Sequence, residues 1–110
     1  MRISKRASTR LSFLKSKTGL TPNILCRFAF LMSAREMQNV SRTALELGGQ
    51  EFNSSTLFGD HQELYELMLV YYIHVTQDPR DPSQIIACHI ENGLHKMGHI
   101  RNLEDVAKLR

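Results

Sequence analysis

The chain has 110 residues, 42% of them apolar, and it carries 14 Lys and Arg against 11 Asp and Glu, a net charge of +3. This length and apolar fraction provide one domain with its own core, which excludes both wholesale disorder and two ordinary domains. Cys26 and Cys88 are too few for a disulfide scaffold and predict reduced thiols in the cytoplasm, and the lack of any run of 18 apolar residues predicts no membrane span.

The N-terminal segment predicts a short strand followed by a helix. Residues 2–6 are β-tolerant and suffice for one strand, and Ser8 is the expected N-cap of the helix that follows. Gly19 suits the left-handed position that ends a helix. The expected apolar face comprises Ala7, Leu11 and Leu14, and a basic side comprises Arg6, Arg10 and Lys17 with Phe13 near them.

A second helix is predicted directly after Gly19. Thr21 is its expected N-cap, and Pro22 occupies the first helical position, where a missing N–H costs nothing. The expected apolar face of this second helix is broader than the first helix can cover, so a partner chain or the C-terminal half should cover the rest. Its centre is Ile24, Phe28 and Leu31, widened by Leu25, Ala29 and Met32.

The C-terminal half predicts three more helices after an ambiguous stretch, residues 43–59, which could be strand or loop around a break at residues 48–49. Asp60 and Glu63 resemble a capping box and predict a helix over residues 60–76. That helix is apolar nearly all round, so we expect it to be the buried central element. Asp81-Pro82 starts a fourth helix that Gly98 closes, with Ile86, Ile90, Leu94 and Met97 inside, and Asn102 caps a short last helix.

The order strand, helix, turn, helix in the first 35 residues is that of a ribbon-helix-helix protein, although a helical hairpin with a frayed basic tail has the same pattern. A single strand cannot satisfy its own backbone groups, so it would pair with a second copy and make the chain an obligate oligomer. Two such strands form a ribbon that can enter a major groove. The fold class is thus mainly α with a short N-terminal strand in a single domain, comprising a basic region over residues 1–42 and a helical core over residues 60–110.

Charge is divided unevenly along the chain. Residues 1–42 hold nine Lys and Arg against one Glu, whereas residues 43–110 hold five against ten Asp and Glu. This asymmetry predicts a polyanion-binding face in the N-terminal region. A mitochondrial presequence has similar composition, but here the basic segment runs without a linker into a capped apolar helix. The expected phosphate contacts are Lys5, Arg6, Arg10, Lys15 and Lys17, with a further phosphate site at Thr21 and Asn23, where a helix begins.

The sequence carries little that predicts catalysis. Cys26 lies in an apolar helix with no base nearby and is expected to be a buried filler. His95 and His99 have a spacing that can hold a metal, but Gly98 should end the helix between them. Only Glu36 stands in the basic region, where a metal-dependent nuclease would need paired carboxylates. We therefore predict no catalytic residue, no metal site and no cofactor.

Residues 14–30, Leu-Lys-Ser-Lys-Thr-Gly-Leu-Thr-Pro-Asn-Ile-Leu-Cys-Arg-Phe-Ala-Phe, resemble the LK-x-x-TG…N-x-LCR-x-AF signature of the DndE family of DNA sulfur-modification proteins. Phe58-Gly59-Asp60, Leu64-Tyr65 and residues 90–98 are similar to the C-terminal half of that family. The resemblance covers essentially the whole chain. By position, Lys15, Lys17 and Arg27 match basic residues of the family motif, which adds Arg27 to the expected DNA contacts.

The resemblance implies a cytoplasmic accessory subunit of the bacterial machinery that replaces a non-bridging phosphate oxygen of DNA with sulfur. It implies a ribbon-helix-helix-like fold, a homotetramer, and binding of double-stranded DNA, nicked duplex above all. The iron–sulfur and ATP chemistry would belong to other proteins of the complex. The alternative is a sequence-specific ribbon-helix-helix repressor or antitoxin, which would read bases with strand side chains, here at most Arg2, Ser4 and Arg6.

Overall fold

The computed structural model describes residues 2–35, 48–49, 51–52 and 57–108. These residues form a mainly helical domain, as the sequence predicts, and none of the described helices is long and apolar enough to cross a membrane. The helices are α1 (Lys5–Thr18), α2 (Pro22–Ala34), α3 (Gln62–Thr76), α4 (Pro82–Lys96) and α5 (Leu103–Ala107), and a 3-10 turn at Gly59–His61 precedes α3.

The chain enters α1 four residues earlier than its sequence predicts. Ser4, and not Ser8, is the N-cap: its hydroxyl oxygen accepts a hydrogen bond from the Ala7 amide at 3.0 Å, and the hydroxyl donates to the Glu91 carboxylate. Ile3 is fully buried. The segment is therefore anchored inside its own chain as the start of a helix, and Lys5 and Arg6 belong to α1 and not to a strand.

The predicted N-terminal strand is consequently wrong, and so is the ribbon-helix-helix arrangement. Among the described residues the only β pairing is an isolated antiparallel bridge between Arg2 and Glu51. Gly49 supports this crossing, because its amide donates to the Ile3 carbonyl at 2.9 Å and a Cβ there would lie 2.3 Å from the Ser4 carbonyl oxygen. Most of the ambiguous stretch at residues 43–59 lies outside the described residues.

The turn between α1 and α2 has the predicted chemistry. Gly19 adopts φ 76° and its amide donates to the Lys15 carbonyl, which closes α1 as a left-handed cap. Thr21 is the N-cap residue of α2 and Pro22 is its first residue. The predicted apolar face of α1 is also confirmed, because Ala7, Leu11 and Leu14 are buried.

The centre of the molecule is the pair of helices α2 and α4, which make the most extensive contact between any two elements described. Gly93 of α4 lies directly on Ala29 of α2, where a Cβ would stand 1.8 Å from the Ala29 carbonyl oxygen. This crossing rotates α2 from its predicted face, so that α4 and α1 cover one side of the helix and the centre of the predicted face is not fully buried. The buried apolar residues of α2 are Leu25, Cys26, Ala29, Phe30 and Ala34, whereas Ile24, Phe28, Leu31 and Met32 are only half-buried.

Helix α3 is not the buried central element that its composition predicts. Its buried residues are Tyr65, Leu69 and Tyr72, which lie on one side. The Tyr65 ring stacks on Phe58 with centroids 4.3 Å apart, and Phe58 packs on Phe30 of α2. The other apolar side chains face outward, so α3 lies on the side of the domain. These exposed residues are Leu64, Leu67, Val70, Tyr71 and Val75.

The start of α3 also differs from the prediction. The helix begins at Gln62, two residues after Asp60, and its N-cap His61 makes no side-chain capping hydrogen bond. Asp60 lies in the 3-10 turn instead. The capping box is therefore wrong, because the tight turn that seats Phe58 against Phe30 displaces the acidic residue from the cap position.

A buried polar cluster fixes the turn from α3 to α4. The Asp78 carboxylate pairs with Arg80 at 2.6 Å and accepts a hydrogen bond from the Tyr72 hydroxyl at 3.0 Å. Arg80 also donates to the Cys88 sulfur at 2.9 Å. Helix α4 then starts after Asp81 as predicted and ends at Lys96. The predicted Asn102 cap is confirmed, because its side chain accepts from the Asp105 amide at 3.0 Å.

Candidate nucleic-acid interface

The solvent-facing surface of α1 carries the cationic residues that the sequence predicts as phosphate contacts. Lys5, Arg6, Lys15 and Lys17 are exposed, and Arg10 is half-buried. Lys5 and Arg6 stand in the first turn of α1, and the Glu91 carboxylate, which accepts a hydrogen bond from the N-cap Ser4, lies at this same end of the helix.

Helical geometry divides these residues into two groups. Arg6, Arg10 and Lys17 recur at i, i+4 and i+11 and form a stripe along one flank of the buried face, with Phe13 at i+7 inside it. Lys15 lies on the opposite flank of the same helix. A single straight polyanion that follows the stripe would therefore meet three of the predicted residues together and not Lys15.

Phe13 is the centre of a small cationic cluster. Its ring is 46% exposed, and the Lys17 ammonium lies 5.4 Å from its centroid. The Arg101 guanidinium lies 5.9 Å from the same centroid, held there by hydrogen bonds to the Gly98 and Ile100 carbonyls at 2.9 and 3.1 Å. Both separations are within the usual reach of a cation–π interaction.

Arg101 lies beside this cluster, a position that sequence reasoning does not predict. It belongs to the acidic half of the chain, where its charge suggests no part in binding DNA. The fold places Arg101 next to the basic stripe, because the segment after α4 packs against α1. No local pattern could have shown a contact between residues 88 positions apart.

Arg27 has a place inside the fold. Its side chain is half-buried, and its Nε donates to the Leu57 carbonyl at 2.6 Å. Gly59, at φ 59°, leaves room for this guanidinium, since a Cβ there would lie 2.7 Å from one of its nitrogens. Arg27 thus ties α2 to the segment that leads into α3, and its contact with DNA stays a prediction.

The predicted phosphate site at the start of α2 lies at the end of α1 that carries Lys15 and Lys17. Thr21 is exposed and its side chain makes no capping hydrogen bond, while Asn23 is half-buried. Because Pro22 has no amide hydrogen, only the next residues of the first turn can offer backbone donors. The assignment of Thr21 and Asn23 to phosphate binding is untested by this geometry.

Both thiols lie inside the protein. Burial raises the pKa of Cys26 to about 12, and burial also raises the pKa of Cys88, although Arg80 opposes that rise. His89 is buried between the Phe30 and Tyr72 rings, with Nδ1 2.7 Å from the Ser33 hydroxyl, and burial lowers its pKa to about 4. Among the described residues no three His, Cys, Asp or Glu side chains are grouped to hold a metal.

The similarity to known proteins agrees with the motif over residues 14–30. A family model described as "DNA sulphur modification protein DndE" matches residues 1–105. The chain belongs to the DndE family. That membership confirms the resemblance, and it connects the chain with a family involved in DNA phosphorothioation.

Two crystal structures of DndE proteins resemble the fold. DndE from Escherichia coli B7A, involved in DNA phosphorothioation modification, has a TM-score of 0.74 and 28% identity, with 88% of this chain and 93% of that chain covered. A DndE mutant in which two glycines are replaced by lysine, also involved in DNA phosphorothioation, has a TM-score of 0.70 and 26% identity, covering 88% and 94%. No curated protein matches the chain.

Proposed function

We propose that this DndE-family chain is a non-enzymatic subunit of the DNA phosphorothioation machinery that holds duplex DNA, preferentially nicked duplex, by its phosphate backbone. The observation that carries the proposal is the basic stripe, defined as Arg6, Arg10 and Lys17 on the outer face of α1. Lys5 and Lys15 add exposed positive charge elsewhere on α1, outside this stripe. The chain would organise the modification complex while partner proteins perform the sulfur chemistry.

The charge type and its arrangement support backbone binding. Lys and Arg on one helix face attract phosphates of any sequence, and each contact releases condensed counterions. The stripe extends over eleven residues of helix, roughly 16 Å at 1.5 Å per residue. That span equals several successive phosphates of one strand, at about 3.4 Å of helix axis each.

The exposed apolar face of α3 supports a homo-oligomer, for which we propose four copies. Leu64, Leu67, Tyr71 and Val75 recur at i, i+3, i+7 and i+11 and form one continuous outward stripe. A second copy of the same stripe is a self-complementary cover for such a surface in a two-fold interface. The grounds for oligomerisation thus rest on α3, since the described residues contain no N-terminal strand and α2 buries one side within its own chain.

A repressor function receives no comparable support. Ser4, a candidate base reader, is buried and caps α1, and Arg2 pairs with Glu51 at 3.2 Å. Of the three strand side chains that a repressor would use, only Arg6 stands on the basic stripe.

A competition experiment tests the proposal. Intact, nicked and single-stranded DNA of one sequence, and intact duplex of an unrelated sequence, are titrated with the protein at two salt concentrations. We expect affinity that falls steeply with salt, that is similar for the two sequences, and that is highest for nicked duplex. Strong dependence on one sequence would overturn the proposal in favour of the repressor.

A further inference from the structure

Beside the basic stripe, and sharing Arg10 with it, lies a pocket whose apolar lining has no part in backbone binding. Its volume is about 480 Å³, within the range of small-molecule sites, and it opens between the middle of α1 and the end of α4. Leu14, Leu94 and Met97 give it an apolar lining, and Phe13 forms one wall. Thr9, Arg10, His95 and Gly98 complete it.

The charge around this pocket is not neutral. Arg10 is one of its lining residues, and the Lys17 ammonium and the Arg101 guanidinium both lie within 6 Å of the Phe13 ring centre. The pocket therefore combines an aromatic wall and an apolar lining with a cationic rim. That combination fits a ligand with a flat apolar body and an attached negative charge.

We propose that this pocket accepts one unstacked nucleobase of the DNA, with the adjoining phosphate held by Arg10, Lys17 and Arg101. The inference rests on the proposed DNA-binding function and extends it from phosphates to a base. Every base has a π-face, so stacking against an aromatic side chain needs no particular sequence. A base becomes available where base pairing is interrupted, since an unpaired base costs little to extrude compared with a paired one.

The pocket also gives a physical reason for a preference among DNA structures. Phosphate contacts are offered equally by intact and interrupted duplex, so the basic stripe alone cannot distinguish them. A base pocket adds affinity only where a base can leave the stack. Phe13 and the apolar lining should therefore carry the discrimination between DNA structures, and the cationic residues should carry the salt dependence.

The test compares two DNA duplexes of equal length, one intact and one containing a single unpaired thymine. Binding is measured by fluorescence anisotropy for the wild type, Phe13→Ala, Phe13→Tyr and Thr9→Phe, the last of which fills the pocket. Ser12→Phe is the matched control, because it adds the same ring to an exposed position of α1 that does not line the pocket. Thermal melting shows that each variant is folded.

We expect the wild type to bind the duplex with the unpaired thymine on the order of 10-fold more tightly than the intact duplex. Phe13→Ala and Thr9→Phe should lose this preference. Phe13→Tyr and Ser12→Phe should keep it. A preference that survives in folded Phe13→Ala, or that Ser12→Phe also removes, would overturn the pocket.

The two proposals fail in different ways. Salt-dependent binding of intact duplex without any preference for the unpaired base would overturn the pocket alone. An absence of salt-dependent binding to either duplex would overturn the proposed function, and the pocket with it.

Discussion

Helices α1 and α3 each pack one side against the α2–α4 pair, yet their outer sides differ in chemistry. The outer side of α1 is cationic, with Arg6, Arg10 and Lys17 in one stripe, whereas the outer side of α3 is a continuous apolar stripe. Charged surface interacts with a polyanion, and exposed apolar surface is stabilised by burial against protein. Under the proposed function, one scaffold thus separates a side that binds DNA from a side that assembles with other copies.

The largest effect should come from breaking the scaffold that both helices share. Gly93→Ala places a methyl group where the Ala29 carbonyl stands, and helical backbone cannot move aside cheaply. We expect a loss of about 3 kcal/mol or more in the free energy of unfolding, measured by urea denaturation. Gly98→Ala, whose Cβ would lie 3.3 Å from the nearest atom, should cost less than about 1 kcal/mol. Equal costs would contradict the close crossing of α2 and α4.

The next effect separates the assembly side from the DNA side. Leu67→Asp puts a charge into the apolar stripe of α3 at a residue that is 66% exposed, so the fold should tolerate it while the interface should not. We expect dissociation into monomers by light scattering after size exclusion at low micromolar concentration. Leu67→Met keeps the apolar surface and should remain assembled. A wild-type protein that is already monomeric would contradict the assembly role of α3.

Acid should weaken the scaffold through His89. The neutral form of His89 is favoured in the fold, where burial lowers its pKa to about 4 from an ordinary value of 6.5. The unfolded chain therefore binds more protons between these values, and stability should fall by roughly 2–3 kcal/mol as pH drops from 6.5 to 4. Thermal melting across this window measures it, with His89→Phe expected to flatten the slope. Contacts with Arg80 lower the pKa of the Asp78 carboxyl, so protonation of Asp78 reduces stability further only below about pH 4.

The smallest effect on binding should come from the thiols. Cys26→Ala and Cys88→Ala remove buried atoms and should each cost roughly 1–3 kcal/mol of stability while leaving DNA affinity unchanged. Anisotropy titration with intact duplex at one salt concentration checks this. A folded variant that no longer binds would show that the thiol has a functional role.

Local signals in the sequence predict the ends of helices better than they predict faces. Gly19, Pro22 and Asn102 act through their own backbone or nearest neighbours, and each lies where the sequence places it. The start of α1 is different, because Ser4 is selected over Ser8 by a contact with Glu91 far along the chain.

The same distinction applies to the candidate site. Periodicity alone predicts the basic stripe on α1, whereas the position of Arg101 over Phe13 depends on how the C-terminal segment returns. The misplacement of α3 has another cause: an all-round apolar helix satisfies the same pattern whether it is buried in its own chain or exposed on one side for a partner. The sequence pattern indicates that an apolar surface must be covered, but it does not show whether the same chain or a partner covers it.

The salt dependence of duplex binding tests the central claim, that the basic stripe of α1 holds DNA phosphates. The wild type is compared with the double variant Arg10→Gln/Lys17→Gln and with Lys108→Gln, whose ammonium already lies 3.6 Å from Glu104. We expect the double variant to lower the slope of log affinity against log salt by about 2, and equally on unrelated sequences, while Lys108→Gln leaves the slope unchanged. An unchanged slope in the double variant, or an equal decrease with Lys108→Gln, would contradict the account.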